Sequence, residues 1–157
     1  MPTEIERKFL VKGKFKNEAV HSFEIKQGYL NSAPERSVRI RITGKEAFLT
    51  IKGLGNDSGM SRYEWEISID KKEALDLLKI CEPGLIEKTR YVIPVGHHEF
   101  EVDEFYGENE GLFLAEIELA HESESFQKPE WLGEEVTGIE KYYNIMLMKH
   151  PYRQWDS

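Results

Sequence analysis

The chain has 157 residues, 39% of them hydrophobic, which is enough for one domain with a substantial core. Charged residues make up 32%, and the formal net charge of −8 at pH 7 argues against broad contact with nucleic acid backbones, which need a basic surface. Because net charge hides placement, an acidic exterior around a basic pocket is compatible with this composition.

Alternation of polar and apolar residues between turn signals predicts eight strands. They cover residues 3–11, 22–31, 36–43, 46–53, 60–70, 85–95, 98–106 and 111–120. An apolar stripe predicts a helix over 71–80, with Asp70 and Glu73 as a capping box. A second helix is predicted over 139–149, a helical turn near 121–127 and an ordered loop over 129–138. The sequence therefore predicts an α+β, mainly β fold: an eight-stranded antiparallel closed barrel with a few peripheral helices.

Other sequence features limit the cellular setting. The N-terminus lacks a positive region followed by an apolar run, and no stretch reaches about 18 consecutive apolar residues, so we expect no signal peptide and no membrane partner. The single Cys81 excludes an intrachain disulfide and is expected to be a buried thiol. We expect one domain over 1–157, located in the cytoplasm. The sequence does not determine the oligomeric state, and a homodimer is one option.

Each predicted strand has one apolar face, and the opposite faces carry charges that are sorted by strand. The first strand has an E-x-E-x-K run, in which Glu4, Glu6 and Lys8 share a face because strand side chains alternate. Later strands carry these charges on one face: Arg39 and Arg41; Lys52; Arg62, Glu64 and Glu66; Lys88 and Arg90; Glu99, Glu101 and Asp103; Glu116 and Glu118. Like charges at i and i+2 repel, so this sorting costs stability unless a ligand binds there.

The two signs of charge suit two kinds of ligand. Clustered lysines and arginines suit a polyanion, since guanidinium groups grip phosphate oxygens in pairs. Carboxylates suit a hard divalent cation such as Mg²⁺ or Mn²⁺. If the sheet closes, the first and last strands bring Glu4 and Glu6 near Glu116 and Glu118. The pattern alone leaves two interpretations, a charged tunnel that binds ligands and an ordinary barrel with a charged exterior.

This ordered series of residues, together with the E-K-T-R-Y run of residues 87–91, resembles the CYTH superfamily of triphosphate tunnel metalloenzymes, from about Thr3 to Asn144. The resemblance, which is to the compact bacterial members, implies an eight-stranded tunnel with inward-pointing charges. The implied triphosphate ligands are Lys8, Arg39, Arg41, Lys52, Lys88 and Arg90, joined by Arg62. The implied metal ligands are Glu4, Glu6, Glu116 and Glu118, with Asp103 as a further ligand or as a group behind them. Glu64 and Glu66 would bind metal or orient the bases.

The resemblance also implies a reaction. A pair formed by Lys8 and Tyr29 would act on the attacking water, although Tyr29 also fits a buried structural role. The leading hypothesis is hydrolysis of inorganic triphosphate to pyrophosphate and phosphate with Mg²⁺ or Mn²⁺. The alternatives are a class IV adenylate cyclase, a thiamine triphosphatase with Trp131 and Tyr142 as an aromatic clamp, and a non-catalytic polyphosphate-binding module. The helix over 139–149 either covers apolar sheet surface or closes one tunnel end, with Lys141 directed toward the site.

Overall fold

A computed structural model describes residues 2–155 of the chain. The strands are β1 (Thr3–Val11), β2 (His21–Asn31), β3 (Arg36–Thr43), β4 (Glu46–Gly53), β5 (Ser61–Ile69), β6 (Ile86–Val95), β7 (His98–Phe105), β8 (Phe113–Glu118) and β9 (Leu132–Glu135). The α-helices are α1 (Lys71–Leu78) and α2 (Asn144–Lys149). Single 3-10 turns lie at Lys16–Glu18, Gly107–Asn109, Glu140–Tyr142 and Tyr152–Gln154. None of the helices within 2–155 is long and apolar enough to cross a membrane.

The sheet closes into a barrel through β1. The strands pair in the order β5-β4-β3-β2-β6-β7-β8-β1, every pair is antiparallel, and β1 also pairs with β5. In this closure Glu4 lies opposite Arg62, while Glu6 lies opposite Glu118 and Lys8 opposite Glu116. The predicted eight-stranded antiparallel barrel is confirmed, as is the approach of the first and last strands.

The apolar residues form cores on both sides of the sheet. Ile40 and Ala47 pack outside the barrel beneath Ala74 and Leu78 of α1, and a second outer cluster includes Phe100. A third cluster lies inside the barrel at one end. It includes Ile86, Phe105, Leu114 and, from α2, Leu147 and Met148. Thus α2 closes one end of the barrel by completing an apolar core, and the remaining interior is polar.

The predicted loop over 129–138 is wrong in its centre, because Leu132–Glu135 forms the ninth strand. This strand pairs with the end of β1, where Phe9 lies opposite Glu135. β5 covers β1 only as far as Ile5, so the later part of that edge is free to bind another strand. Arg7 fixes the pairing, since its Nε and Nη2 donate to the Glu135 carboxylate at 2.8 and 2.6 Å.

The predicted helix over 139–149 is broken at its start. Glu140–Tyr142 forms a 3-10 turn, Tyr143 is extended with ψ 139°, and the α-helix begins only at Asn144. The break leaves the Tyr142 carbonyl free to accept a hydrogen bond from Lys8 Nζ at 3.1 Å. The expectation that Lys141 points toward the interior is also wrong, since its ammonium lies 4.6 Å from the Trp155 ring centroid.

One prediction of helical detail is wrong, and another, a turn near 121–127, is confirmed. Asp70 precedes α1, but its side chain makes no capping hydrogen bond, so the predicted capping box does not form. The segment 121–127 contains a single turn, closed by the bond from Glu124 N to His121 O, and no helix.

Candidate active site

The polar part of the barrel interior forms a cavity of about 570 Å³. All the predicted site residues except Asp103 line it: Glu4, Glu6, Lys8, Tyr29, Arg39, Arg41, Lys52, Arg62, Glu64, Glu66, Lys88, Arg90, Glu116 and Glu118. The alternation of side chains along each strand puts these residues on one face, and closure of the barrel turns that face inward. The expectation of a charged interior therefore holds, and the alternative of a charged exterior does not.

Arg39 lines the cavity and, within residues 2–155, has one buried donor without a partner. Its Nη2 donates to Thr50 Oγ1 at 3.2 Å, and the Thr50 hydroxyl donates to Glu66 at 2.6 Å. Arg39 Nε is buried and, among the residues that the structure describes, has no hydrogen-bond partner. A buried donor without an acceptor is unfavourable, so Arg39 is held at a cost to the fold.

Asp103 lies behind the bases rather than on the cavity surface. Its carboxylate is 2.7 Å from Lys88 Nζ and accepts two bonds from Arg90, at 2.8 and 2.9 Å. Although burial opposes it, Arg90 and Lys88 lower the pKa of Asp103 to about 2. Asp103 is therefore an anion that orients two cations.

Two of the basic side chains in the cavity are difficult to keep charged in this environment. Burial, reinforced by Arg90 and Arg41, lowers the pKa of Lys88 to about 7, despite the attraction of Asp103. Burial, with repulsion from Arg39 and Arg90, lowers the pKa of Arg41 to about 9. An anion bound in the cavity would favour the charged form of both.

The carboxylates are partly neutralised by their neighbours. Glu4 accepts from Lys52 Nζ at 2.9 and 3.2 Å and lies 3.5 Å from Arg62 Nε. Lys52 Nζ also lies 3.4 Å from Glu64. Glu118 and Glu66 are exposed, so they lie toward open solvent rather than in the deepest part of the cavity.

Glu6 and Glu116 have opposite protonation preferences although they are hydrogen-bonded to each other. Burial and the negative charges of Glu116 and Glu4 raise the pKa of Glu6 well above its usual value. Burial also opposes ionisation of Glu116, but Lys8 and Arg90 lower its pKa well below the usual range. Glu6 is therefore harder to ionise than Glu116.

The acidic side chains at this site are of the type that a hard divalent cation prefers, but they are not arranged to hold one. Only carboxylate oxygens are offered by Glu4, Glu6 and Glu116, and oxygen is the preferred donor for Mg²⁺ and Mn²⁺. Their mutual repulsion, seen in the raised pKa of Glu6, is what a cation would relieve. Yet within 2–155 no three acidic, histidine or cysteine side chains stand in an arrangement that could hold an ion. A metal would require Glu4 to turn from Lys52 and Glu6 to lose its proton.

Lys8 and Tyr29 both reach the cavity, but within the described residues they share no hydrogen bond. Lys8 Nζ donates to the Tyr142 carbonyl, lies 3.7 Å from Glu116 and lies 5.6 Å from the Tyr143 ring centroid. Tyr29 is 5% exposed and packs in the inner apolar cluster, while it also acts electrostatically on Arg41 and Arg62. Their catalytic pairing stays a prediction.

The proposed aromatic clamp is wrong. Trp131 is 2% exposed and packs against Phe100 in the outer core. Tyr142 packs against Trp155, and neither Trp131 nor Tyr142 lines the cavity.

Sequence reasoning missed several neutral residues in and beneath the cavity. Thr50, Thr137, Tyr143 and Asn144 line it, and Gln27 supports it from the buried face of β2. Gln27 precedes Tyr29 by two residues on one strand, so alternation would have found it. Asn144 follows a broken helix start, for which the sequence carries no clear signal.

Comparison with known proteins agrees with this geometry. The CYTH domain family model matches residues 2–147. The chain is 43% identical over 156 residues to an inorganic triphosphatase of Acetivibrio thermocellus, covering 99% of both chains. It is 41% identical over 150 residues to an inorganic triphosphatase of Nitrosomonas europaea, covering 92% of this chain and 96% of the relative. The crystal structure of an inorganic triphosphatase superimposes with a TM-score of 0.66 at 37% identity, covering 92% of this chain and 97% of that one. The chain therefore belongs to the CYTH domain family.

Proposed function

We propose that this protein hydrolyses inorganic triphosphate to pyrophosphate and phosphate, using a divalent metal ion. The observation that carries the proposal is one cavity, open to solvent, that the seven bases and the Glu residues of the predicted site line together. Two relatives that match nearly the whole chain are inorganic triphosphatases, which supports the same substrate.

The bases would hold the substrate. Arg39, Arg41, Lys88 and Arg90 would bind the phosphate oxygens, with Lys8, Lys52 and Arg62 closing around the chain of phosphates. The position of all seven basic side chains on the wall of one cavity supports this assignment. Phosphoryl transfer depends mainly on positioning and charge neutralisation, which such a ring of cations supplies.

The carboxylates would hold Mg²⁺ or Mn²⁺. Glu4, Glu6 and Glu116 would be the inner ligands, with Glu118 near solvent and Glu64 and Glu66 orienting Lys52 and Arg39. A bound metal supplies polarisation of the terminal phosphate and a lower pKa for a water molecule. Asp103, which is enclosed by Lys88 and Arg90, would orient those bases and leave the metal to the others.

Lys8 and Tyr29 would act at the attacked end of the triphosphate. Water forms a bond to the terminal phosphorus, the bond from that phosphorus to the bridging oxygen breaks, and pyrophosphate leaves. An ammonium group donates hydrogen bonds and accepts none, so Lys8 would orient the phosphoryl oxygens or the water and would not remove its proton. The Tyr29 hydroxyl can both donate and accept, which suits the orientation of that water.

Phosphate release from inorganic triphosphate, ATP and thiamine triphosphate, each with Mg²⁺ or Mn²⁺, tests this function. We expect fast, metal-dependent release from inorganic triphosphate that Glu6→Ala abolishes. The variant Glu99→Ala is a suitable control, because Glu99 is an exposed residue of β7 outside the cavity. Cyclic AMP and pyrophosphate from ATP would instead identify an adenylate cyclase, and faster turnover of thiamine triphosphate a thiamine triphosphatase. Tight triphosphate binding without any turnover would identify a binding module.

A further inference from the structure

A chain of neutral amide groups connects the C-terminal helix to two of the buried cations. Asn144, the first residue of α2, accepts at Oδ1 from Lys88 Nζ at 3.0 Å and from Gln27 Nε2 at 3.0 Å. Gln27 Oε1 in turn accepts from Arg41 Nε at 2.8 Å. The network thus links α2, β6, β2 and β3 through two amides.

The direction of each bond in this network is fixed by chemistry. Lysine and arginine only donate, so Lys88 must face Asn144 Oδ1 and Arg41 must face Gln27 Oε1. Gln27 Nε2 then meets Asn144 Oδ1 as a donor. Gln27 is 0% exposed and Lys88 1% exposed, so misplacing either polar group would leave it unpaired in the interior.

The two amides differ from the carboxylates of the site in what they do to the cations. Asp103 orients Lys88 and Arg90 and also cancels part of their charge. An amide oxygen fixes the direction of a cation while carrying no net charge itself. The two amides therefore orient Lys88 and Arg41 without adding to the charge cancellation that Asp103 causes at Lys88.

We propose that Asn144 and Gln27 are positioning residues, which hold Lys88 and Arg41 toward the bound triphosphate without neutralising them. The inference rests on the proposed function, and it gives the start of α2 a role beyond completing the apolar core. It predicts that these uncharged residues affect substrate binding as strongly as a lost ionic contact does.

Steady-state kinetics with inorganic triphosphate and Mg²⁺ should compare Asn144→Ala, Asn144→Asp and the wild type. For Asn144→Ala we expect kcat/KM to fall roughly 10- to 100-fold, mainly through KM, as for a lost hydrogen bond to a charged group. Asn144→Asp preserves shape and both acceptor contacts, but its charge would pair with Lys88, so we expect KM to rise about tenfold with an unchanged melting temperature. An aspartate variant with wild-type KM, or an alanine variant within about twofold of wild type, would overturn the proposal.

A matched control separates positioning from anchoring of the helix. Asn109 also holds α2, because its Nδ2 donates to the Leu147 carbonyl at 3.4 Å, but it lies outside the cavity. We expect Asn109→Ala to lower the melting temperature and leave KM unchanged. An equal rise in KM for Asn109→Ala and Asn144→Ala would reduce the role of Asn144 to fold stability and contradict the proposal.

A double-mutant cycle tests whether the two amides act as one unit. Gln27→Met removes the second amide of the network and nearly keeps the volume of the side chain. If the two amides act as one unit, kcat/KM of the double variant Gln27→Met/Asn144→Ala falls little further than that of the worse single variant. Losses of kcat/KM that multiply would show that the two residues act independently and would refute the proposal. If the wild type shows no turnover, the proposed function fails. Calorimetric titration of the wild type and the same variants with inorganic triphosphate then tests the role of the two amides through binding affinity alone. Equal affinities, or no binding by the wild type, would then count against it.

Discussion

Glu6 is a carboxyl group whose ionisation the surrounding cavity opposes. Burial and the adjacent charges of Glu116 and Glu4 keep the pKa of this carboxyl well above its usual value. Glu116, facing Lys8 and Arg90, stays ionised. A divalent cation that uses both oxygen donors must therefore displace the proton of Glu6, and metal binding becomes linked to pH.

Metal affinity is expected to rise with pH. Because the folded-state pKa of Glu6 is raised, its proton persists above the range where ordinary glutamate is ionised, and it competes with metal throughout that range. Calorimetric titration with Mn²⁺ in buffers of different ionisation enthalpy should detect a released proton at pH values at which an ordinary glutamate is already ionised. In Glu6→Gln, no proton is available for release at this site, so the buffer dependence should vanish; persistence of the full dependence would show that the proton comes from elsewhere.

Lys88 links the stability of the protein to pH in the range from about 7 to 10.5. Its pKa is about 7 in the folded protein against a usual value of 10.5, so between these values the unfolded chain binds a proton that the folded protein does not. Lowering the pH through that interval therefore destabilises the fold, and raising it stabilises the fold. We expect the free energy of unfolding of the ligand-free protein, measured with urea, to rise between pH 7 and 10 more steeply in the wild type than in Lys88→Met. Parallel pH profiles for the two proteins would contradict a lowered pKa at Lys88.

The loop between β4 and β5, residues 54–60, forms part of the cavity wall and meets the segment that follows β9. Its carbonyl at Met60 accepts from Glu6 N at 3.0 Å, and the Glu122 carboxylate accepts from Asn56 and Ser58 at 2.7 and 2.9 Å. Gly59 at the tip lies against Gly138, where both residues have φ 77°. The contact needs glycine, because a Cβ on Gly59 would lie 2.6 Å from Gly138 Cα.

Two glycine substitutions separate the effect of this contact from backbone strain. Gly44 in the β3–β4 turn also has a positive φ, 61°, but a Cβ there would meet nothing within 4 Å. Gly44→Ala should cost about 1–2 kcal/mol of unfolding free energy, the usual penalty for the left-handed conformation. Gly59→Ala should cost about 1–3 kcal/mol more, as overpacking against a backbone atom does, and should raise KM by displacing the cavity wall. If Gly44→Ala and Gly59→Ala lose equal unfolding free energy in urea titrations, the loop moves aside for the added methyl group without cost.

The elements that the sequence predicted well are those with a strong local period. Alternation located eight strands and grouped on their polar faces thirteen charged residues that line the cavity, while Tyr29 came from the family resemblance. β9 escaped prediction because Leu132–Glu135 is short and lacks alternation, and it is a strand only through the free edge of β1 and the Arg7–Glu135 ion pair. Asn144 escaped for the same reason, since its role depends on Lys88 and Gln27, which are distant in sequence.

At the scale of the molecule, the cavity gathers charges of both signs. Seven of the 21 lysines and arginines line it, together with nine of the 29 acidic residues. The apolar core is displaced to the outside of the sheet and to one end of the barrel, which leaves the interior for ionic groups. Buried charged groups contribute less free energy to folding than a packed apolar core of equal size. A bound ligand of opposite charge recovers part of that free energy.

The fold should therefore be markedly more stable with both ligands than alone. At a free concentration of about 100 times its dissociation constant, a ligand adds roughly 2.7 kcal/mol, which for a domain of this size raises the melting temperature by about 5–10 °C. We expect Mn²⁺ with inorganic triphosphate, under conditions where turnover is blocked by Lys8→Ala, to produce such a shift by differential scanning calorimetry. Inorganic phosphate at the same concentration should produce less, because it can reach fewer of the bases at once. An additional Arg39→Ala substitution should reduce the shift, since Arg39 is one of the proposed phosphate ligands on the cavity wall; a shift that is insensitive to Arg39 would mean that this buried charge is held by the protein alone.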